Sequence, residues 1–516
     1  MARSAVVTAV LVVLALATAL TGCSTGQRVD LGPGAEGGVI AAIAGEPDQL
    51  DPHKTTAYFS FEVLENIFDT LVQPDENLEM QPALAESWEV SDDQLTWTFH
   101  LRPGVTFHDG TPLTADDVVF SYNRIIDEEL ANVDKFSAVT AVEAPDPRTV
   151  VIRVERPVPN MLTNLGGFKG MAIVSRENVE SGQIATDPIG TGPFSFVDQR
   201  SGDSITLAAN PDYWGGAPEI SGLRFRFISE PSTALSALQA GEIDWTDSIP
   251  PQRVQQLRGD ESITLAVEPS NDYWYLALNE AREPWNDVRV RQAIAYAIDR
   301  ASIVAATSYG TAAQNQLAIP EGNPWYVPYD RYESGGSQEG LDRARELLDE
   351  AGASPQNLDM LVTTDYPETV TAAQIIADNL ADLGITVTIR TVDFATWLDE
   401  QNNGNFDMLM MGWLGNIDPD DFYYAQHHTD GTSNAQKFSN AEVDRLLDAG
   451  RVETDRQARF DDYKQAATLI ADEVSYIYLY NPSVIQAWNP ELEGYHARRD
   501  GAVRFADAHW AQDGEA

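Results

Sequence analysis

The side chains in this chain with the types needed for acid–base, metal or nucleophilic chemistry are adjacent carboxylates such as Asp116-Asp117, the pair His427-His428 near Asp418, Asp420 and Asp421, and one cysteine, Cys23. Paired carboxylates hydrolyse glycosides only when they flank a substrate at a set separation. Asp116 and Asp117 instead follow Thr114 in a [ST]-x-x-[DE] pattern, so helix capping and solvation account for them. Consecutive histidines read as a strand point to opposite faces, and no ligand spacing of a tight metal site accompanies His427-His428. Neither G-x-S-x-G nor H-E-x-x-H occurs. Gly32-Pro-Gly34-Ala-Glu-Gly37 has the form G-x-G-x-x-G, but a proline sits inside it and no strand precedes it. None of Lys54, Lys135, Lys169, Lys437 and Lys464 follows a glycine, as a Walker loop requires. No catalytic constellation emerges from these residues, and neither a cofactor nor a metal is expected.

The first residues set the compartment. Arg3 precedes an apolar run from Ala5 to Leu20 that ends in Leu20-Thr-Gly-Cys23, a secretory signal over residues 1–22. The run is too short to span a bilayer, which takes about 20 apolar residues. Leu20-Thr-Gly-Cys23 resembles the bacterial lipobox, so Cys23 is expected to be lipidated and residues 23–38 to form a Gly-rich tether. With Cys23 the only cysteine, no internal disulfide is possible in an exported chain that would otherwise use them. The formal net charge of −47 repels nucleic acid and anionic lipid, so a covalent anchor is what would hold the protein on the outer face of the membrane or in the periplasmic space. Acidic residues occur all along the chain, which fits solubility or salt adaptation better than a field aimed at one ligand. At 516 residues and 43% hydrophobic composition there is material for about three domains of ~150 residues.

Such a chain must position its groups on α/β units. A strand is expected at Val39–Ala44, a helix from Phe61 to Leu71 and a strand at Leu95–Leu101, with a helix starting after Thr114. Val290, Ala293, Ile294, Ala297 and Ile298 recur at helical spacing after Asp287, as do Leu341, Ala344, Leu347, Leu348 and Ala351 before Gly352. Thr371–Leu383 reads as a helix with Ile376, Leu380 and Leu383 inward, followed by the alternating strand Ile385–Ile389. Phe460, Tyr463, Ala467 and Ile470 form a further helical face ahead of the strand-prone run Val474–Tyr480. Asn271-Asp-Tyr-Trp-Tyr275 alternates as a half-buried strand, with Tyr273, Tyr275 and Ala277 on one face and Trp274, Leu276 and Leu278 on the other.

Several blocks in one order then resemble the family 5 solute-binding proteins of ABC importers, which include the oligopeptide-, dipeptide- and nickel-binding proteins. They include Glu46-Pro-Asp-Gln-Leu-Asp-Pro52, Pro82-Ala-Leu-Ala-Glu-Ser-Trp88, Trp97–Gly110, Thr191-Gly-Pro-Phe194, Asn210-Pro-Asp-Tyr-Trp214, Gly241-Glu-Ile-Asp-Trp245, Asn286–Ala293 and Gly412-Trp413. The resemblance implies a bilobed α/β fold of the periplasmic-binding-protein type with an extra inserted domain. The first lobe would comprise 39–68, 187–271 and 481–516, the insert 69–186 and the second lobe 272–480. It further implies capture of a peptide or similarly sized solute between the lobes and delivery to ABC permease and ATPase subunits, by a lipid-anchored monomer. A non-transport sensor or surface binding lipoprotein has the same fold, and an extracellular hydrolase is the remaining alternative.

By the same resemblance, Tyr58 and Phe59 belong to a cleft loop of the first lobe, and Asn271, Asp272, Tyr273 and Tyr275 lie where the chain crosses between lobes. Gly412, Trp413, Leu414 and Asn416 fall on a segment that in oligopeptide-binding relatives runs along the ligand backbone and supplies an acid to its amine. Here Asn416 stands in that place, and Asp418 is the nearest substitute carboxylate. No arginine lies between Thr364 and Leu380, and Gln401 and Met410 fill two further relevant places, so a carboxylate clamp of the short-peptide kind is not expected.

Overall fold

Short β-rich runs separated by amphipathic helices assemble into three main sheets. The computed structural model describes residues 37–167, 169–354, 357–415 and 417–511; Cys23, the signal segment and Asn416 lie outside them. A seven-stranded sheet has the spatial order Thr264–Pro269, Ser483–Trp488, Trp245–Thr246, Val39–Ile43, Gly222–Phe227, Ser204–Ala209 and Phe194–Arg200. Val39–Ile43 runs parallel to both Gly222–Phe227 and Trp245–Thr246, so these three strands end at one edge. A six-stranded sheet has the order Ala313–Gln314, Tyr476–Asn481, Tyr273–Leu278, Met408–Trp413, Asn357–Thr363 and Thr386–Val392. An antiparallel four-stranded sheet, Ala85–Val90, Thr96–Leu101, Thr149–Val154 and Val139–Asp146, packs under the helix Ala115–Asp127 through Val118, Tyr122 and Ile125.

Helix starts follow local chemistry. The carboxylate of Asp117 accepts from both the backbone N–H and the hydroxyl of Thr114 at 2.9 Å, which fixes the entry of Ala115–Asp127. Asp287 caps Val288–Ala297 and Ser337 caps Gln338–Ala351, each accepting from a backbone N–H of the first turn. The helix expected over Phe61–Leu71 runs instead over Tyr58–Leu64. It stops because Asn66 turns inward, its amide donating to Glu62 O at 3.0 Å and to Val503 O at 2.8 Å, which draws the chain toward the C-terminal segment. Ile67, Phe68 and Leu71 are still buried, so their spacing reflected core contact and not helix continuation.

The six-stranded sheet is covered on both sides. Leu276, Leu278, Met360, Val362, Met408 and Met410 face Val288–Ala297, Gln338–Ala351 and Pro367–Ala381, whose Ile294, Leu347 and Ile376 meet them. Tyr273, Tyr275, Leu361, Leu409, Met411, Tyr476 and Tyr478 face Pro419–His427, Ala441–Gly450 and Arg456–Asp472. Each fully buried Leu, Ile or Met stabilises this sandwich by about 1.5–3 kcal/mol relative to exposure. With both faces closed by helices, only the strand ends are left to meet a ligand.

Candidate functional site at the carboxyl ends of two sheets

The chain passes between the seven- and six-stranded sheets at Asn271-Asp272 and again at Asn481-Pro482. The two passages are tied together. Ser270 N donates to Pro482 O at 3.0 Å, and the Asn481 amide donates to Asp272 O at 2.8 Å and to Ala318 O at 2.9 Å. Asn271 is buried here and accepts from the Asn323 amide at 3.3 Å.

Asn357–Thr363, Thr386–Val392 and Met408–Trp413 share one direction, while Tyr273–Leu278 opposes Met408–Trp413, so its start lies beside their ends. In open α/β sheets ligands bind beyond the carboxyl ends of the strands. At this edge stand Asp272, Trp274, Tyr366, Phe394, Trp413 and Leu414. Tyr366, Phe394 and Leu414 are 41%, 39% and 54% exposed, which is unusual for three large apolar groups at one sheet edge. Their rings form a row: Trp274 stacks on Tyr480 at 6.2 Å and meets Tyr366 edge-on at 6.1 Å, and Tyr366 meets Phe394 at 5.8 Å and 89°. The Asp365 carboxylate holds the end of the row in place by accepting from Phe394 N at 2.8 Å.

Two glycines make the edge possible. A Cβ on Gly412 would stand 3.0 Å from the Trp274 indole, and one on Gly415 would stand 1.7 Å from Asn271 O. Gly415 N also donates to Asp272 Oδ1 at 2.9 Å, so the segment leaving Met408–Trp413 is fastened to the first passage. Burial pushes the Asp272 carboxyl above its ordinary value, against the opposing pull of Lys169 and the hydrogen bonds from Gly415 and Ser270.

The seven-stranded sheet presents its own carboxyl edge. Phe59 packs over Gly45, just past Val39–Ile43, and Tyr58 donates its hydroxyl to Gly501 O at 3.1 Å. Burial, then Glu62, Asp247, Tyr495 and Asp272 in turn, raise the Tyr58 phenol well above its usual range. Tyr58 therefore stands where groups from both sheets converge. Ion pairs also join more distant parts: Lys135 meets Asp421 at 2.7 Å, and Arg456 meets Glu79 at 3.4 Å.

Of the residues singled out from sequence, Tyr58, Phe59, Asp272, Gly412, Trp413 and Leu414 lie at or beside these edges, with Trp413 half-buried against the tyrosine-rich core. Tyr273 and Tyr275 do not. Both are 1% exposed on the opposite side of the strand from Trp274, Tyr273 against Tyr478 at 5.3 Å and Tyr275 stacked on Tyr476 at 4.0 Å. Asp418 is buried and held by Arg459 through two bonds of 2.6 and 2.7 Å, while its side chain also caps Pro419–His427. His427 ends that helix and does not belong to a strand. Its ring nitrogens lie 2.8 Å from Ser475 Oγ and from Tyr478 Oη, and burial lowers its pKa to about 3, so it is a neutral core group.

Trp274 belongs to the block Asn271–Tyr275 that the sequence placed at the crossing, but its ring partners Tyr366 and Phe394 escaped the sequence reading. The available signal was positional, since Tyr366 and Phe394 come two or three residues after strand ends, Tyr366 capping Pro367–Ala381 and Phe394 opening Phe394–Asn402.

This geometry agrees with comparisons to known proteins. Residues 79–434 match the family model "Bacterial extracellular solute-binding proteins, family 5 Middle". The chain is 28% identical to the probable D,D-dipeptide-binding periplasmic protein DdpA of Escherichia coli (strain K12), over 89% of this chain and 91% of that one. Among solved structures, HbpA2 from Haemophilus parasuis superposes with a TM-score of 0.82 at 26% identity, covering 92% of this chain and 99% of the other. The periplasmic binding protein DppA from Helicobacter pylori in complex with the peptide STSA superposes with a TM-score of 0.79 at 26% identity, covering 92% and 98%. The fold is thus the bilobed α/β fold of periplasmic binding proteins, and the chain belongs to family 5 of the bacterial extracellular solute-binding proteins.

Proposed function

We propose that this protein is the lipid-anchored binding component of an ABC importer, which captures a peptide or similarly sized organic solute between two lobes and presents it to a permease. The observation that carries this reading is the aromatic row Trp274–Tyr366–Phe394 at the carboxyl edge of one sheet, beside the passages that lead to the carboxyl edge of the other. In this reading the first lobe comprises 39–68, 187–271 and 481–516, the second lobe 272–480, and 69–186 forms the inserted domain. Flat rings supply apolar contact without dictating sequence, while backbone groups and carboxylates orient the ligand. The peptide bound by the Helicobacter pylori relative supports a ligand of that size.

Native mass spectrometry of the purified protein, followed by identification of any small molecule released on denaturation, supplies the ligand for the test. Trp274→Ala removes an indole that stacks on Tyr480 at the passage, and calorimetry with that ligand should show a loss of about 2 kcal/mol or more. Wild-type affinity in a folded Trp274→Ala protein would place the site elsewhere. The anchor has its own test: Cys23→Ala should leave an uncleaved precursor or release the protein into the medium, and unchanged detergent partitioning would rule out lipidation.

A further inference from the structure

The helix Tyr58–Leu64 carries Tyr58 and Glu62 one turn apart on one side, and Asp247 is the first residue beyond Trp245–Thr246 at the carboxyl edge of the seven-stranded sheet. Glu62 is 2% exposed, and neither of its carboxyl oxygens meets an N–H or O–H donor; Oδ1 of Asp247 is likewise without one. The two carboxyls face each other. Buried carboxylates are normally paired with a cation or fully hydrogen-bonded, whereas these atoms have no cation and only the proton the two carboxyls can share. The charged and titratable groups around it are Glu65, Tyr58 and Tyr495, with Asp272 beyond Tyr58. The neighbouring cations are directed to other acids: Arg504, Arg498 and Lys169 act on Glu65, Arg498 pairs with Asp500, and Lys169 also acts on Asp272.

We propose that Glu62 and Asp247 form a cation-binding subsite of the cleft, a place for one ammonium or guanidinium group of the ligand. The inference rests on the cleft reading above and narrows it to solutes that carry a positive group next to an apolar or aromatic body, which the row of Trp274, Tyr366 and Phe394 would meet. In the empty protein burial, together with the mutual repulsion of the pair, holds a proton between the two carboxyls. When the cation enters, that proton leaves to solvent and both carboxyls become anions against one positive charge. Binding therefore releases one proton per ligand, and affinity rises with pH by up to about tenfold per unit while the empty pair holds its proton and the ligand stays charged.

The test uses phenethylamine and its neutral counterpart 2-phenylethanol, titrated calorimetrically into the wild type, Glu62→Gln, Asp247→Asn and Trp274→Ala. The wild type should bind the amine at least about tenfold more tightly than the alcohol, as expected for a charge-assisted contact in a buried site. It should release one proton per amine, read from runs in two buffers of different ionisation heat. Glu62→Gln and Asp247→Asn should each abolish the preference and the proton release while unfolding at temperatures near that of the wild type. Equal affinity for the two probes, no binding of the amine, or an undiminished preference in both amide variants would overturn the subsite. If Trp274→Ala binds the amine as the wild type does while Glu62→Gln does not, the subsite stands and the placement of the aromatic wall falls.

Discussion

Arg459→Ala should destabilise the protein by about 3–5 kcal/mol, because it strands a buried carboxylate and does not merely delete a favourable contact. Asp418 and Arg459 are both under one-tenth exposed and joined by two short parallel bonds, and Arg459 Nε also donates to Gly450 O at 2.8 Å. The guanidinium further lies 5.0 Å from the Trp325 ring centre and 5.1 Å from that of Tyr463. Removing it takes the cation from the carboxylate, which keeps the Asp420 N–H at 3.0 Å, and takes the guanidinium donor from the Gly450 carbonyl. Urea denaturation is the measurement, and the double variant Asp418→Asn/Arg459→Met should recover part of the loss by neutralising the orphaned charge. Asp418→Asn alone should lower stability while leaving the affinity of the folded fraction unchanged, which separates an internal tie from a ligand contact. A stability within 1 kcal/mol of wild type for Arg459→Ala would mean that water reaches the pair.

Gly415→Ala is expected to have the second large effect, on binding and stability together. The added Cβ would fall 1.7 Å from Asn271 O, and the obstructing atom is backbone in the passage between sheets, not the tip of a flexible side chain. Either the passage or the segment after Trp413 must move, breaking the bond from Gly415 N to Asp272. Overpacking of this kind costs about 1–3 kcal/mol or more, and displacement of Asp272 and Leu414 should weaken ligand binding by over about tenfold. Gly412→Ala, whose Cβ would first meet the Trp274 ring at 3.0 Å, a side chain and not backbone, should be milder in stability and comparable in binding. Equal, near-wild-type behaviour of both variants would show that this segment is free to shift.

Much of the scaffold was legible because it is written locally. The Thr114–Asp117 cap, the periodic faces ending before Gly352 and Gly384, and the alternating strand after Gly384 each follow from neighbours a few residues apart. The family resemblance held for the same reason, since each of its blocks is a short run of neighbouring residues. The site was less legible. Alternation in Asn271–Leu278 separates two faces of a strand but cannot say that helices cover both, and that coverage is what put Tyr273 and Tyr275 in the core and left Trp274 at the edge. The partner of Asp418 lies 41 residues away, at Arg459, which no local pattern announces. The Glu62–Asp247 pair depends on a contact between a helix and a strand end far apart in sequence. Its faint trace was Glu62, one of three acidic residues, with Glu65 and Asp69, inside the stretch from Phe61 to Leu71.

The bonds that fasten Ser270 to Pro482 and Asn481 to Asp272 bear on how many independent movements the two halves retain. Two separate, slack linkers would permit sliding, twisting and bending in any mixture. Linkers stitched side by side behave as one pivot, so sliding is suppressed and rotation remains. Distances measured between labels on opposite halves should then all change in proportion to their separation from Asn481, as along the radius of a turning door. Asn481→Ala, which removes the amide that reaches both Asp272 O and Ala318 O, should broaden those distance distributions without lengthening the chain between the halves.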